Sequence, residues 1–512
     1  MPFYARLKSI LSWKSLAIAG LILLIVVSVL VKFNVSYWLD RYTPALEQAV
    51  TEATGFDTRI KDGISVKLFP LPAVSVHGIT LGKKDRKPLL TAKELDLSFE
   101  LLPLLDREFR LYSITVNELH LRLPANQKGI PILPSIKLKT SKKQTPGFAL
   151  NLESFGELEL LNSEFTVTSL TGETLHQLEN ANLVLQPANI ANVLANRSPK
   201  DLAGSAFLQF QQASIGKLKI GQSRIEASYK PDQLSVDILK SELLGGRAKG
   251  KVFWQFAADA PTVKVTLSLA GMNTGESAAL FQRKPVVNGN LDLKIDLAGN
   301  PSSRDAFIRS VAGTAEVDGA GLDLVSINLD EIIEKIIKSH NYNLVDATAY
   351  FFMGPLGMST TKGYDYANLL TTAANQGATS SKILRMKTVW TTAHGFATAQ
   401  DVALETQRYR LALKGRLNLV KSEFDGIKIA VVDDRGCAIV KQSLDGPMKS
   451  PRVGKLNFLM ALTQPVLDVI GKTAKRLMSS DCEPFYTGAL LPVKADAKTQ
   501  PPAEATANQH SD

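Results

Sequence analysis

The residues whose types could support catalysis are few and poorly spaced for it. Gly471-Lys472-Thr473 has the ending of a phosphate-binding loop, but the position that should hold the earlier glycine is Val466. Asp433-Asp434 offers two carboxylates for a metal or for acid–base work. Neighbours in a strand point to opposite faces, so the pair reads as a polar turn. The six histidines (His77, His120, His176, His340, His394 and His510) are scattered, none at the short spacing a metal site uses. His77, followed by Gly78, reads as a bulge residue. No G-x-S-x-G, H-E-x-x-H or Gly-rich phosphate loop occurs. These residues predict a protein that is not an enzyme and that uses no cofactor or metal. Cys437 and Cys482 are the only cysteines. In an exported chain they are expected to pair, and closing a loop of ~45 residues is worth about 4 kcal/mol in the chain-entropy model.

Export is predicted by the N-terminus. Ser15 to Val31 carries no charge and is dominated by Leu, Ile and Val, with Leu16, Ile18, Leu21, Leu24, Ile25 and Val29 as the anchoring side chains. At ~1.5 Å per residue it covers roughly 25 Å, enough for a thin hydrocarbon core flanked by Trp13 and Tyr37-Trp38. Arg6, Lys8 and Lys14 precede it, which predicts a cytoplasmic N-terminus and an exported body. The run ends in Ser28-Val-Leu-Val-Lys32, without a small-residue cleavage site, so it reads as an uncleaved anchor. The chain of 512 residues has a net charge of +10 and 45% apolar residues. Its Lys and Arg are spread along the whole sequence rather than clustered, which argues for solvated strand faces and attraction to anionic headgroups, and against nucleic acid.

Behind the anchor the hydrophobic period changes. Leu39 to Thr54 carries Leu46, Ala49, Val50 and Ala53 on one helical face and predicts a stalk helix ending at Gly55. From Phe56 the period is 2, the mark of strands. In ISVKLFPLPAVSVHGITL (Ile64 to Leu81), Val66, Leu68, Val74 and Val76 alternate with polar or small neighbours, and the phase then shifts at His77-Gly78. Leu95, Leu97 and Phe99 share one phase, as do Leu119 and Leu121, with another shift at Asn117-Glu118. Such shifts predict β-bulges. Strands continue over 157–169, 182–186, 206–212, 217–229, 233–239, 250–256, 262–269, 289–297, 387–392, 401–405, 409–419 and 424–432. Helices are predicted at Ala188–Asn196, at Leu329–Ser339 with Asn328 as N-cap, and at Asn457–Met478 with a kink at Pro465. A Gly/Ser/Thr-rich connection covers Met353–Gln376. The tail after Val493 has no apolar face.

Thr54 to Leu105 (TGFDTRIKDGISVKLFPLPAVSVHGITLGKKDRKPLLTAKELDLSFELLPLL) resembles the N-terminal module of the AsmA family. The shared features are Gly after a stalk helix, a Pro-x-Pro strand break, a Val-x-x-x-x-Leu-Gly edge and a final Leu-Leu-Pro-Leu-Leu. Leu239–Phe256, Asn288–Asn300 and Val311–Ile333 resemble its C-terminal region, so the resemblance spans roughly residues 10 to 340. Phe56 stands where the family often has a basic residue. The resemblance implies anchoring in the inner membrane of Gram-negative bacteria, a periplasmic body, and a role in outer-membrane assembly and lipid homeostasis. Larger members look like bridge-type lipid transfer proteins with a half-pipe sheet.

About twenty strands and three or four helices leave one apolar face per strand to be kept from water, at ~25 cal/mol per Å². A filled sandwich, a closed barrel or a curved sheet holding something else would each do so. The resemblance favours the last. The expected fold is mainly β: an N-terminal transmembrane helix, then an elongated, curved antiparallel sheet forming a groove with a few flanking amphipathic helices. At ~4.8 Å per strand it would run on the order of 100 Å. Val66, Leu68, Val74, Val76, Leu95, Leu97, Phe99, Leu119 and Leu121 are the predicted lipid-facing set. The predicted divisions are an anchor (1–34), a stalk and first β module (35–150), a central sheet (151–325), a disulfide-closed C-terminal region (326–492) and a tail (493–512). The predicted partners are membrane lipids, phospholipid or lipopolysaccharide. The alternative is an anchored scaffold for outer-membrane assembly proteins.

Overall fold

The computed structural model describes residues 41, 43–67, 71–83, 87–105, 108–132, 149–151, 156–186, 203–256, 260–280, 287–325, 328–339, 344, 381–458 and 482–492. The protein is mainly β and divides into two compact units, Met1–Ala315 and Glu316–Asp512. Among the described residues no helix is long and apolar enough to cross a membrane. The anchor residues Leu16, Ile18, Leu21, Leu24, Ile25 and Val29 lie outside the described residues. So do the helix expected at 188–196, the connection at 353–376 and the tail.

The first unit opens with α1 (Thr43–Thr54), which carries Pro44 in its first turn. It ends at Gly55, whose φ of 74° only a residue without Cβ adopts cheaply, and whose N–H returns to the Thr51 carbonyl at 2.8 Å. The strands β1 (Asp57–Ile60), β2 (Ile64–Lys67), β3 (Ala73–Gly82) and β4 (Leu90–Phe99) follow, then a short helix α2 (Leu101–Leu105). Next come β5 (Glu108–Asn117), β6 (His120–Pro124), β7 (Ala149–Asn151), β8 (Glu157–Thr168), β9 (Thr174–Gln186), β10 (Gly204–Phe210) and β11 (Gln212–Ile215). The unit continues through β12 (Leu218–Lys230), β13 (Gln233–Leu243), β14 (Gly246–Gln255), β15 (Thr262–Asn273), α3 (Thr274–Leu280), β16 (Val287–Asn288), β17 (Asn290–Gly299) and α4 (Arg304–Ser310). Ser303 caps α4, its Oγ accepting from the Ala306 N–H at 3.0 Å.

Most neighbours in this sheet are antiparallel hairpin partners. One join departs from the antiparallel expectation: β5 and β6 pair in parallel with β8, from Ser113↔Glu157 to Pro124↔Thr168. The short β7 also lies parallel to β5. A parallel pair needs a long crossover, and the stretch 125–156 provides one.

The boundary between units falls inside β18 (Ala312–Leu324). The second unit contains α5 (Leu329–Ser339), β19 (Lys382–Ala393), β20 (Phe396–Thr406), β21 (Arg410–Asn418), β22 (Glu423–Val432), β23 (Ala438–Pro447), β24 (Arg452–Val453) and β25 (Asn457–Phe458). Helix α5 has the predicted bounds and cap, with the Glu331 N–H donating to Asn328 Oδ1 at 3.1 Å. Its stripe of Leu329, Ile333, Ile336 and Ile337 is buried. The Thr406 hydroxyl donates to the buried Asp330 carboxylate and ties α5 to the sheet. The helix predicted from Asn457 does not start there. Asn457 and Phe458 extend the ladder opposite Lys441 and Val440, because an open strand edge outweighs a local helical pattern. The rest of that predicted helix lies outside the described residues.

One face of the second unit's sheet is covered by residues 482–492. Tyr486 and Leu490 pack on Ala403, Ala412 and Ala430. The Tyr486 hydroxyl donates to Asp401 Oδ1 at 2.6 Å and accepts from the Leu490 N–H at 3.1 Å. Burial, and then the bond to Asp401, push the Tyr486 phenol above its ordinary value. Cys437 and Cys482 are joined as predicted, with Cα atoms 6.1 Å apart. Asp433-Asp434 is the polar turn expected. Asp433 Oδ1 accepts from the Cys437 N–H at 2.8 Å, and Asp434 pairs with Arg410.

Candidate functional site

The first unit's register places like residues in line. From β3 to β17 the cross-strand partners run Val76, Leu95, Val116, Leu160, Leu183 and Leu208. They go on through Ile225, Ile238, Gly250, Leu267 and Ile295. A second row, two residues along each strand, runs from Val74 through Leu97, Ile114, Leu158 and Leu185 to Val236, Val252, Val265 and Leu297. Eleven strand positions at ~4.8 Å give two parallel apolar tracks of about 50 Å.

The tracks persist through the phase shifts. Gly78, Asn162 and Asn180 inside β3, β8 and β9, Glu118 between β5 and β6, and Gly271 near the end of β15 all have φ between 49° and 72°. A left-handed residue inverts the alternation, so Leu158 and Leu160 before Asn162 face the same way as Phe165 after it. This is visible in one cluster: Phe165, Leu178 and Ile220 from beyond the kinks pack with Leu208 and Ile225 around Ala181, Phe210 and Ala213. The kinked backbone is satisfied locally. The Asn162 N–H donates to Asn182 Oδ1 at 2.8 Å, and the Gly271 N–H to Asp292 Oδ1 at 2.7 Å.

Burial distinguishes this face from a packed core. The row residues are half-buried, with Val76 the exception at 6% exposure. Trp254, beside Val252 on β14, is 41% exposed. Of the twelve largest fully buried side chains among the described residues, eleven belong to the second unit and only Leu269 to the first. Residues 482–492 cover one face of the second sheet, and the side chains of its other face, such as Leu404 and Leu411, are fully buried; the first unit's tracks are only half-buried.

The reverse face is polar. Lys67 reaches Glu94 and Asp96, each at 3.0 Å; burial opposes its charge, but these two partners raise its affinity for the proton. Lys251 pairs with Asp237 at 3.2 Å and Lys264 with Asp296 at 3.5 Å. Burial and the adjacent Glu157 push the Glu159 carboxyl above its ordinary value. Ser65 Oγ and His77 Nε2 lie 3.0 Å apart, which places His77 in a side-chain network of this face. Among the described residues no group of three His, Cys, Asp or Glu side chains could hold a metal.

The predicted lipid-facing residues fall as follows. Val66 pairs with Val74, and both are half-buried, as are Leu95, Leu97, Phe99 and Leu121; Val76 and Leu119 are buried. Leu68 lies outside the described residues. The predicted set stops at Leu121 and omits the longer part of the tracks, from Leu158 to Leu297. Their alternation is present in the sequence, but only the register shows that they line up.

The fold and site define a class: a β-sheet protein with one long, partly open apolar face and an ion-paired reverse face. Residues 8–146 match the family model for AsmA, so the resemblance read at Thr54–Leu105 holds over that stretch. No curated protein and no solved structure matches the chain.

Proposed function

We propose that the apolar tracks of the first unit hold lipid acyl chains, and that the protein supports lipid movement across the periplasm from an anchor in the inner membrane. The observation that carries this reading is the contrast in burial. One chain buries its large aliphatic side chains completely in the second unit and leaves two aligned rows of the same residue types half-open in the first. Acyl chains suit such a surface, since each buried CH₂ is worth ~0.8 kcal/mol and no directional contact is required. Headgroups would remain at the polar rim. The process needs no bond cleavage, so the function is non-enzymatic. Anchoring rests on the uncharged window Ser15–Val31, and the periplasmic side on Arg6, Lys8 and Lys14 before it.

The test is a photoreactive residue placed in living cells at Leu183, on the track, and at Val184, on the reverse face. Adducts with the mass of phospholipid or lipopolysaccharide at 183 and not at 184 support the reading. Adducts at 183 that are only protein would favour a scaffold for assembly factors, and equal lipid adducts at both positions would refute selective binding.

A further inference from the structure

At one end of the first sheet the apolar surface is more exposed than along the tracks. Leu101 and Leu102 of α2 are 60% and 75% exposed, and Tyr112, on the adjacent β5, is 45% exposed. A protein that buries leucine completely elsewhere has no folding reason to hold two adjacent ones in water. Their place in the sheet gives the reason. Helix α1 lies antiparallel to β1: the Thr58 N–H donates to Thr51 Oγ1 at 3.1 Å and the Ile60 N–H to Glu47 Oε1 at 2.6 Å. The start of α1 therefore points the way the chain runs from β1 to β2, toward the row Lys67↔Ala73↔Ser98. Leu101 begins just past that row. The chain enters α1 from the side on which α2 sits. Residues 32–42 connect the uncharged window to α1 and can span at most ~40 Å.

We infer that α2 and Tyr112 form a second membrane contact, shallow and interfacial, on the bilayer into which the N-terminal window inserts. The occupant is the headgroup–acyl boundary, which accepts leucine side chains and a tyrosine whose hydroxyl stays wet. This contact brings one end of the apolar tracks against the lipid surface. It rests on reading Ser15–Val31 as an anchor.

The test uses the full chain in phosphatidylethanolamine–phosphatidylglycerol vesicles, with an environment-sensitive fluorophore on Leu102→Cys or on Leu170→Cys. Both native cysteines are in the disulfide, so neither competes for label. Leu170 is also 75% exposed, but in the turn after β8, at the opposite end of the strands. The label at 102 is expected to be blue-shifted and quenched by lipids with spin-labelled acyl chains at least about twofold more than the label at 170. Protein retained after an alkaline carbonate wash, with the two labels behaving alike, overturns the α2 contact and leaves the anchor standing. Protein lost in the wash overturns the anchor, and the contact with it.

Discussion

Two cross-strand leucine pairs make the central contrast measurable. Leu183↔Leu208 joins β9 to β10 in the first unit, and Leu404↔Leu411 joins β20 to β21 in the second. The first pair is half-buried; the second is 0% exposed. Consider glutamine at each position in turn. In the second unit, losing a leucine from a closed core costs about 2.7–5 kcal/mol. The new amide, held away from water, adds roughly 1–3 kcal/mol, partly offset by the volume glutamine restores. Leu404→Gln and Leu411→Gln should each cost about 4 kcal/mol or more. On the open face the amide reaches water and no cavity forms. Only part of the ~1.5–3 kcal/mol for burying a leucine is lost, so Leu183→Gln and Leu208→Gln should cost about 1–2 kcal/mol. Native-state hydrogen exchange, read peptide by peptide, gives each unit its own opening free energy, which a single melting curve does not. Added phospholipid should raise protection in β9 and β10 of the wild type and do so less in the Leu183→Gln variant. Equal costs for the two pairs would mean that protein fills the space over the tracks, and the acyl-chain reading would fail.

Cys437→Ser should destabilise the second unit by about 4 kcal/mol, the chain-entropy value for a separation of 45 residues, without releasing the protein from membranes; unchanged melting under reducing conditions would contradict this. Tyr486→Phe deprives Asp401 of its hydroxyl donor and the Leu490 N–H of its acceptor. It should cost roughly 1.5–3 kcal/mol, seen as faster exchange in residues 482–492. Glu159 has a folded pKa above its ordinary value of 4.5, so the folded state favours the neutral acid. Its contribution to stability is therefore present in acid and lost as pH rises from that ordinary value through the raised one. Glu159→Gln should flatten the decline over that window and raise the melting temperature at neutral pH; a steeper decline would contradict the assignment.

Several elements were legible because their causes are local. The stripe of Ile332, Ile333, Ile336 and Ile337 and the cap at Asn328 define α5 by sequence spacing alone; the structure returns the same bounds and buries Leu329 in place of Ile332. Period-2 alternation marked most strands, because the pleat forces it whatever lies on either side. The phase shifts at His77-Gly78 and Asn117-Glu118 were visible too, and they are the left-handed residues Gly78 and Glu118. Short helices such as α2 and α4 are not legible in the sequence, since five or seven residues carry too little periodicity to read.

The sequence by itself determined that this chain is mainly strands with a two-sided character, behind one uncharged apolar window. The tertiary structure alone decided which strands are neighbours, including the parallel join of β5 and β6 to β8. It decided the register that lines Val76 up with Ile295 across eleven strand positions. It also decided what covers each face. Alternation reads the same in β9 and in β21, yet the first half of β21 is buried on both faces, one of them under residues 482–492, while β9 is left half-open. Pleating is a property of adjacent residues. Covering a face requires groups that are distant in the chain, and no local pattern records them.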